Sequence, residues 1–436
     1  MKKILFLFLF SFQFACGARE MDYKAESEKI FKNILDRKFG EATALFDTSF
    51  AAKMDSGRLQ QAWDRLLTNF GAFVNVIEIN HDHQPNFDVV VQKIQLEKKK
   101  VDFKIVYGTN QKIKGVSFLP GEPREKYELP EYFNEKMIAE KTIIIENGPV
   151  RLPGILTTPN RPGKFPLVIL VHGSGPNDKD ESVGLTKIFK DLSIGLAMKG
   201  IAVYRYDKRT RVLKTKIAKE KNYTVYKETI EDAIAAVNQL RQDSLIDSTA
   251  IYICGHGLGA MVLPRIESKA KNLKGLIFLA PNARKLEDHM LEQTRYVISL
   301  DSTKKDYTNL LDSINKETRR IKSLTPMTKD TSAILFLPVS YWLDLNEYNQ
   351  VEAVQKLNQP LLFLFGKRDY QITEVDYNIW KKALVNKNAE FRAYPDLNHF
   401  FIKGIGKSTP FEYNKKGNVD KEPINDISNW ILFQKK

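Results

Sequence analysis

A short glycine-rich stretch in the second half of the chain has the pattern of a turn that presents a nucleophile. The pentapeptide GHGLG at 255–259 comes directly after the apolar run 251–254, and a segment of helical character follows at 261–271. A buried strand, a sharp turn and a helix in this order are the setting of the nucleophile elbow G-x-S-x-G. Gly257 stands where that motif has its serine. The sequence therefore predicts the frame for a nucleophile without the nucleophilic side chain.

A second motif lies upstream, where HGSGP at 172–176 follows the apolar run 165–171 and is continued by NDKDE at 177–181. This segment resembles the HGSGP(N/Q)DRDE segment of bacterial serine esterases and acyl-peptidase-like members of the α/β-hydrolase superfamily. The resemblance covers about residues 138–436. It implies that the backbone N–H groups of Ser174 and Leu258 form the oxyanion hole, where one donor contributes about 3 kcal/mol. The alternative is that these turns contain glycine only because larger residues would not fit sterically.

The same resemblance supplies the other members of a catalytic triad. Gly-Lys-Arg-Asp at 366–369 resembles the turn with the triad acid, and Pro-Asp-Leu-Asn-His-Phe at 395–400 resembles the segment with the histidine. Asp369 would fix the tautomer of the imidazole of His399, which would act as the base. Separately, Asp369 could cap a helix and His399 could lie on the surface, but positions 257, 369 and 399 follow the family order. The turn Asp-Lys-Arg at 207–209 is predicted to brace the oxyanion loop.

The glycine at position 257 limits the activity that the resemblance implies. Gly257 cannot form an acyl-enzyme, and Ser174 cannot replace the serine because its position is on the oxyanion side. Three explanations stay open: a natural loss of catalysis, an engineered replacement, or direct attack by water with His399 as base. We expect very low turnover of a small ester or peptide-like substrate, without a cofactor. The competing hypothesis is a non-catalytic ligand- or partner-binding protein of the cell envelope.

The elements around these motifs predict an α/β domain over residues 138–436. Apolar strands alternate with helices, which is typical of a mostly parallel, doubly wound sheet, and single long helices are expected at 184–198 and 223–242. Residues 282–355 interrupt the alternation and are predicted to form a helical lid. The apolar cluster at 334–343 would suit an acyl or aromatic substrate, although packing of the lid on the core explains most of it.

Residues 22–120 predict a separate small α+β domain. Helices are expected at 23–39 and 58–70, and four strands at 72–79, 87–96, 100–107 and 112–119. The LFD…W…L…GAF pattern between Leu45 and Phe73 resembles a domain of unknown function, DUF3887, that precedes α/β-hydrolases in exported bacterial proteins. The proline-containing segment 121–137 is predicted to be the linker.

The first sixteen residues have the composition of a signal peptide. Lys2 and Lys3 precede the apolar run 4–14, which is too short to span a bilayer, and Ala15-Cys16-Gly17 follows. This end resembles the lipobox of bacterial lipoproteins, although Gln13 stands where leucine is usual. The resemblance implies lipidation of Cys16 and a membrane anchor on the periplasmic side or at the outer membrane. Ordinary signal cleavage nearby is the alternative.

Composition narrows the remaining classes of function. The net charge of +14 comes from 67 basic and 53 acidic residues spread along the chain, and no nucleic-acid-binding motif accompanies it. No metal site is expected, because His81 and His83 lack a third ligand nearby. Cys254 is the only cysteine besides Cys16; it is predicted to be a small core residue, its alternative role as a displaced nucleophile being weak. The oligomeric state is not predicted.

Overall fold

The computed structural model describes residues 21–84, 87–120, 127–213, 220, 222–301, 306–329 and 332–434. The chain forms two compact units, residues 1–125 and 126–436, and each has its own hydrophobic core. The predicted signal peptide and Cys16 lie outside the described residues. Within the described ranges, no helix combines the length and the apolar character needed to cross a membrane.

The first unit packs helices against one face of an antiparallel sheet. Its strands pair in the order β1-β2-β3-β4 and its core includes Phe31, Trp63 and Phe103. The four predicted strands are present, but the predicted helix 23–39 is broken. Arg37 adopts a left-handed conformation with φ of 61° and reaches Asp64, so one helix ends before it and a second begins after it. The elements are α1 (Tyr23–Leu35), α2 (Phe39–Ala42), α3 (Thr48–Ala51), α4 (Ser56–Phe70), β1 (Phe73–Gln84), β2 (Phe87–Leu96), β3 (Lys100–Gly108) and β4 (Ile113–Pro120).

The second unit is built on an eight-stranded sheet with the order β14-β13-β12-β11-β7-β10-β6-β5. The pairs β6–β5 and β10–β6 are antiparallel, and all other neighbours in this sheet are parallel. The predicted mostly parallel, doubly wound sheet is confirmed. The strands are β5 (Ile138–Asn147), β6 (Val150–Pro159), β7 (Phe165–Val171), β10 (Ala202–Tyr206), β11 (Ile246–His256), β12 (Gly275–Leu279), β13 (Leu361–Gly366) and β14 (Ala389–Tyr394), with a two-stranded hairpin of β8 (Ser182–Val183) and β9 (Thr186–Lys187).

Helices cover both faces of this sheet. The predicted helix 184–198 begins only at Ile188, because Gly184 lies in the hairpin turn with φ of 58°. The predicted helix 223–242 is α-helical only from Glu231, after a π-helical turn at Tyr226–Ile230. Outside the lid the helices are α5 (Ile188–Met198), α6 (Arg209–Leu213), α7 (Glu231–Leu240), α8 (Leu258–Met261), α9 (Leu263–Ala270), α14 (Glu374–Ala383) and α15 (Lys421–Phe433).

Parallel strands with both faces covered explain why the central strands are almost purely apolar. Every residue of β7, β12 and β13 is buried. β11 lies between β7 and β12, so its carboxyl end meets the loops that leave both neighbours. The motifs at 172–176 and 255–259 follow β7 and β11 and are therefore adjacent in space.

The predicted lid is present as helices between β12 and β13. Its apolar cluster at 334–343 does not line the cavity described below: Ile334 and Trp342 are fully buried in the core, and Trp342 Nε1 donates to the carbonyl oxygen of Ile334 at 2.9 Å. The substrate-binding role considered for the whole cluster is therefore not supported. Most of the cluster packs on the core, whereas Phe336 is fully exposed. The lid helices are α10 (Leu286–Ser299), α11 (Thr308–Lys322), α12 (Val339–Asn346) and α13 (Gln350–Gln355).

Candidate active site

The turn after β11 has the geometry of an elbow. Strand β11 ends at His256, Gly257 has φ of 52° and ψ of −113°, and α8 begins at Leu258. The N–H of Gly257 donates to the carbonyl oxygen of Leu279, the last residue of the neighbouring strand β12, at 3.0 Å. The chain therefore reverses direction within one residue, and that residue is fixed against the sheet.

The three glycines of the elbow differ in the space around them. A Cβ atom on Gly255 would lie 2.5 Å from the backbone nitrogen of Ala260, and one on Gly259 would lie 2.2 Å from the carbonyl oxygen of Val171. These two positions have no room for a side chain. A Cβ atom on Gly257 would have a single neighbour within 4 Å, Nε2 of His399 at 3.8 Å. The missing side chain at position 257 is therefore a real vacancy that faces the histidine.

Asp369 and His399 form the hydrogen-bonded pair expected of an acid and a base. Oδ2 of Asp369 lies 2.6 Å from Nδ1 of His399, and both residues are buried. Asp369 follows β13, and its other oxygen accepts the N–H of Gln371 at 2.6 Å. Asn398 shapes the histidine loop, because its side-chain oxygen accepts the N–H groups of Phe400 and Ile402. The structure therefore brings Gly257, Asp369 and His399 together.

The predicted oxyanion residues lie in the same cavity. Ser174 and Leu258 line it together with Gly257 and His399. Leu258 is the first residue of α8, so its N–H has no acceptor inside the helix. Within the described ranges, the backbone N–H of Ser174 has no hydrogen-bond partner. Both N–H groups are therefore without a partner among the described residues, and both residues line the cavity beside Gly257.

The turn at 207–209 braces the loop that carries Ser174, as predicted. The ammonium group of Lys208 donates to the carbonyl oxygen of Gly173 at 2.8 Å, and a carboxylate oxygen of Asp207 accepts the N–H of Lys179 at 2.7 Å. Lys208 also contacts Glu228 of the π-helical turn, and both side chains are buried. The departure from a regular helix at this turn thus coincides with an ion pair whose lysine also holds the loop of Gly173.

Sequence reasoning missed a second buried acid–histidine pair beside the first. Oε1 of Glu181 accepts the N–H of Gly173 at 2.7 Å, and Oε2 lies 3.2 Å from Nδ1 of His256. On its other side, Nε2 of His256 lies 3.2 Å from the carbonyl oxygen of His399. The sequence contains both residues of the pair, since Glu181 ends the NDKDE segment and His256 lies inside the elbow. Only the structure shows that they meet.

Glu181 and His256 each favour the charged form of the other. Burial by itself raises the pKa of Glu181, but the charge of His256 and the N–H of Gly173 outweigh burial, and the net pKa lies below the usual value. Burial lowers the pKa of His256, whereas the carboxylate of Glu181 raises it, and the net pKa is raised. Glu181 also has a left-handed backbone, with φ of 48°. Such strain persists only where surrounding contacts enforce it.

The cavity beside Gly257 has a volume of about 340 Å³, near the lower end for ligand sites. Lid helix α10 contributes Leu286, His289 and Gln293, and residues after β13 contribute Gln371 and Ile372. The lining therefore mixes apolar side chains with amide and imidazole groups. The volume limits an occupant to a small molecule or to one end of a larger one.

The sequence also offered Cys254 as a nucleophile and His81 as a metal ligand, and the structure supports neither role. Cys254 is buried in β11, and burial raises the pKa of its thiol well above the usual value, so it does not act as a nucleophile. His81 contacts Asp88, with 2.8 Å between Nε2 and Oδ1. Among the residues that the structure describes, no three His, Cys, Asp or Glu side chains are grouped to hold a metal ion.

The chain is 35% identical to esterase EstD of Thermotoga maritima over 435 residues, which are 99% of this chain and all of the relative. The chain belongs to this esterase family. Its fold is that of the α/β-hydrolases, with the small β-rich unit in front. Residues 27–116 match the family model of a protein of unknown function, DUF3887.

Solved esterases are more distant from this family member in sequence. Est1E from Butyrivibrio proteoclasticus has 18% identity and a TM-score of 0.43, with coverage of 67% of this chain and 98% of its own. An esterase from Pyrococcus furiosus has 14% identity and a TM-score of 0.43, with coverage of 72% and 99%.

The Glu181→Gln variant tests the buried pair. It keeps an oxygen for the N–H of Gly173 and removes the charge opposite His256, so the free energy of unfolding should fall by about 3 kcal/mol. Since the pKa of Glu181 is lowered and that of His256 is raised, the loss should be largest between about pH 5 and 6.5. It should shrink as the pH rises through the raised pKa of His256, or falls through the lowered pKa of Glu181. Urea unfolding of the variant and the native chain at pH values from 4 to 9 measures this difference in the free energy of unfolding.

Glu390→Gln provides the control, because Glu390 pairs with Arg392 on the surface. That variant should lose less than about 1 kcal/mol. A pH-independent difference between Glu181→Gln and the native chain would show that the pair is not ionic.

Proposed function

We propose that this esterase-family chain binds small esters in the cavity beside Gly257 and turns them over very slowly. In this proposal Asp369 orients His399, and the N–H groups of Ser174 and Leu258 stabilise the oxyanion. The vacancy at position 257 in front of Nε2 of His399 is the observation that supports it most strongly. Position 257 contains no group that could form an acyl-enzyme.

Residual hydrolysis would proceed through water. A water molecule in the vacancy would replace the serine hydroxyl and could transfer a proton to Nε2 of His399. It would not be attached to the protein, so the entropic advantage of a fixed nucleophile is lost. Removal of a triad nucleophile leaves roughly 10³–10⁴-fold catalysis over the reaction in water. This is the level of activity that we propose for the native chain.

We also propose that the protein is exported and attached to the cell envelope by a lipid on Cys16. The support is the signal-like composition of residues 1–16 and the cysteine at its end. Two attachment signals are usually needed for a stable anchor, and the diacyl modification of bacterial lipoproteins would supply two chains.

Lipid labelling tests the proposed attachment at Cys16. The full chain should incorporate an alkyne-tagged fatty acid when expressed in a bacterium, and Cys16→Ser should abolish the label and release the protein from membranes. Cys254→Ser is the matched control and should keep the label, because Cys254 is buried in β11. Equal labelling of the native chain and Cys16→Ser would exclude the anchor at this residue.

The Gly257→Ser variant tests the proposed chemistry. The new hydroxyl would extend toward Nε2 of His399, and hydrolysis of p-nitrophenyl butyrate should rise by about 10³-fold or more over the native chain. The positive φ at this position disfavours any side chain, so the variant should also lose about 1–2 kcal/mol of stability.

Gly257→Ala is the matched control, because it introduces the same backbone strain without a hydroxyl. It should be as destabilised as Gly257→Ser and no faster than the native chain. Addition of His399→Ala to Gly257→Ser should remove the gained activity. A folded Gly257→Ser protein with no gain would contradict the assignment of the triad.

A further inference from the structure

The vacancy at position 257 leaves hydrogen-bonding groups at the end of the cavity without protein partners. Nδ1 of His399 is bonded to Asp369, while its other ring nitrogen, Nε2, has no hydrogen-bond partner among the described residues. The backbone N–H of Ser174 also has no hydrogen-bond partner among the described residues. Leu258 is the first residue of α8, so its N–H has no acceptor within the helix. All three residues line the same cavity, and His399 is only 6% exposed.

Two oxygen positions are defined by these groups. In an esterase with its serine, the tetrahedral intermediate has one oxygen at the two N–H donors and is joined to the serine oxygen in front of the histidine. Both oxygens are bonded to one carbon atom. The two oxygens of a carboxylate are also bonded to one carbon atom. With glycine at position 257, the place of the serine oxygen is free for the second of them.

We propose that the site is a receptor for a small monocarboxylic acid, bound as its carboxylate. One oxygen accepts the N–H groups of Ser174 and Leu258, and the other accepts a hydrogen bond from Nε2 of His399. This inference rests on the proposed function, because it uses the same site residues. The inference goes beyond the proposed function because it names a ligand that the native chain binds without turnover.

The charges around His399 favour an anion in this place. Nδ1 gives its hydrogen to Asp369, so Nε2 can donate only when the imidazole is protonated. The carboxylate of Asp369 on one side and that of the ligand on the other then stabilise the imidazolium in a buried setting. Two further acid–histidine pairs lie near this end of the cavity: His256 with Glu181, and His289 of the cavity lining with the buried Asp376. Tyr370, also in the cavity lining, stays neutral, because burial raises its pKa to about 12.

The cavity limits the size of the acid. About 340 Å³ lined in part by Leu286, Ile372 and Phe400 accommodates a short aliphatic or small aromatic group.

Titration calorimetry of the native full-length chain with sodium butyrate tests the receptor, with butyramide as the neutral probe of the same shape. We expect one butyrate per chain and no measurable binding of butyramide. His399→Gln should abolish binding of butyrate, and thermal unfolding should show that this variant is folded. Gly257→Ala should weaken binding at least tenfold, because its methyl group occupies the oxygen position in front of His399.

The outcomes separate this inference from the proposed function. Equal affinity for butyrate and butyramide, or binding unchanged in His399→Gln, would overturn the receptor. If the native chain does not bind butyrate while Gly257→Ser hydrolyses p-nitrophenyl butyrate, the receptor is wrong and the proposed function stands. If butyrate binds as expected but Gly257→Ser remains inert, the receptor stands and the catalytic assignment is wrong.

Discussion

The close packing of the elbow against the ends of β7 and β12 is the constraint on which the site depends. Gly255 and Gly259 have no room for a Cβ atom, and the N–H of Gly257 is bonded to the carbonyl oxygen of Leu279. These contacts leave the turn a single conformation, in which residue 257 faces Nε2 of His399. The orientation therefore does not depend on the side chain at position 257. An elbow without its serine can keep its shape for this reason.

A second layer of interactions connects the elbow to the loops on either side. Glu181 joins the N–H of Gly173 to His256, and His256 continues to the backbone of His399. Removal of one partner of a buried ion pair strongly lowers the stability of the fold, because the remaining buried charge loses its partner. The pair therefore connects the loop of Gly173 to the loop of His399, whatever residue occupies position 257.

Much of this architecture could be predicted from local sequence patterns. The apolar strands are evident because parallel strands buried on both faces read as continuous apolar runs, and Asp369 and His399 follow such strands in the family order. Contacts between distant segments could not be predicted in this way. Nothing local indicates that Glu181 meets His256, and the apolar residues at 334–343 have the same types whether they line a cavity or fill a core. The helix break at Arg37 was missed because residues 23–39 keep a helical pattern through it.

The central claim is that the site lacks only a hydroxyl at position 257. Covalent labelling with a fluorophosphonate, located by peptide mass spectrometry, tests it most directly, because this reagent reports an activated serine without requiring the natural substrate. We expect no label on the native chain or on Gly257→Ala. We expect one label at position 257 in Gly257→Ser, and this label should be lost on addition of His399→Ala. Labelling of the native chain at Ser174, or a folded Gly257→Ser protein that stays unlabelled, would contradict it.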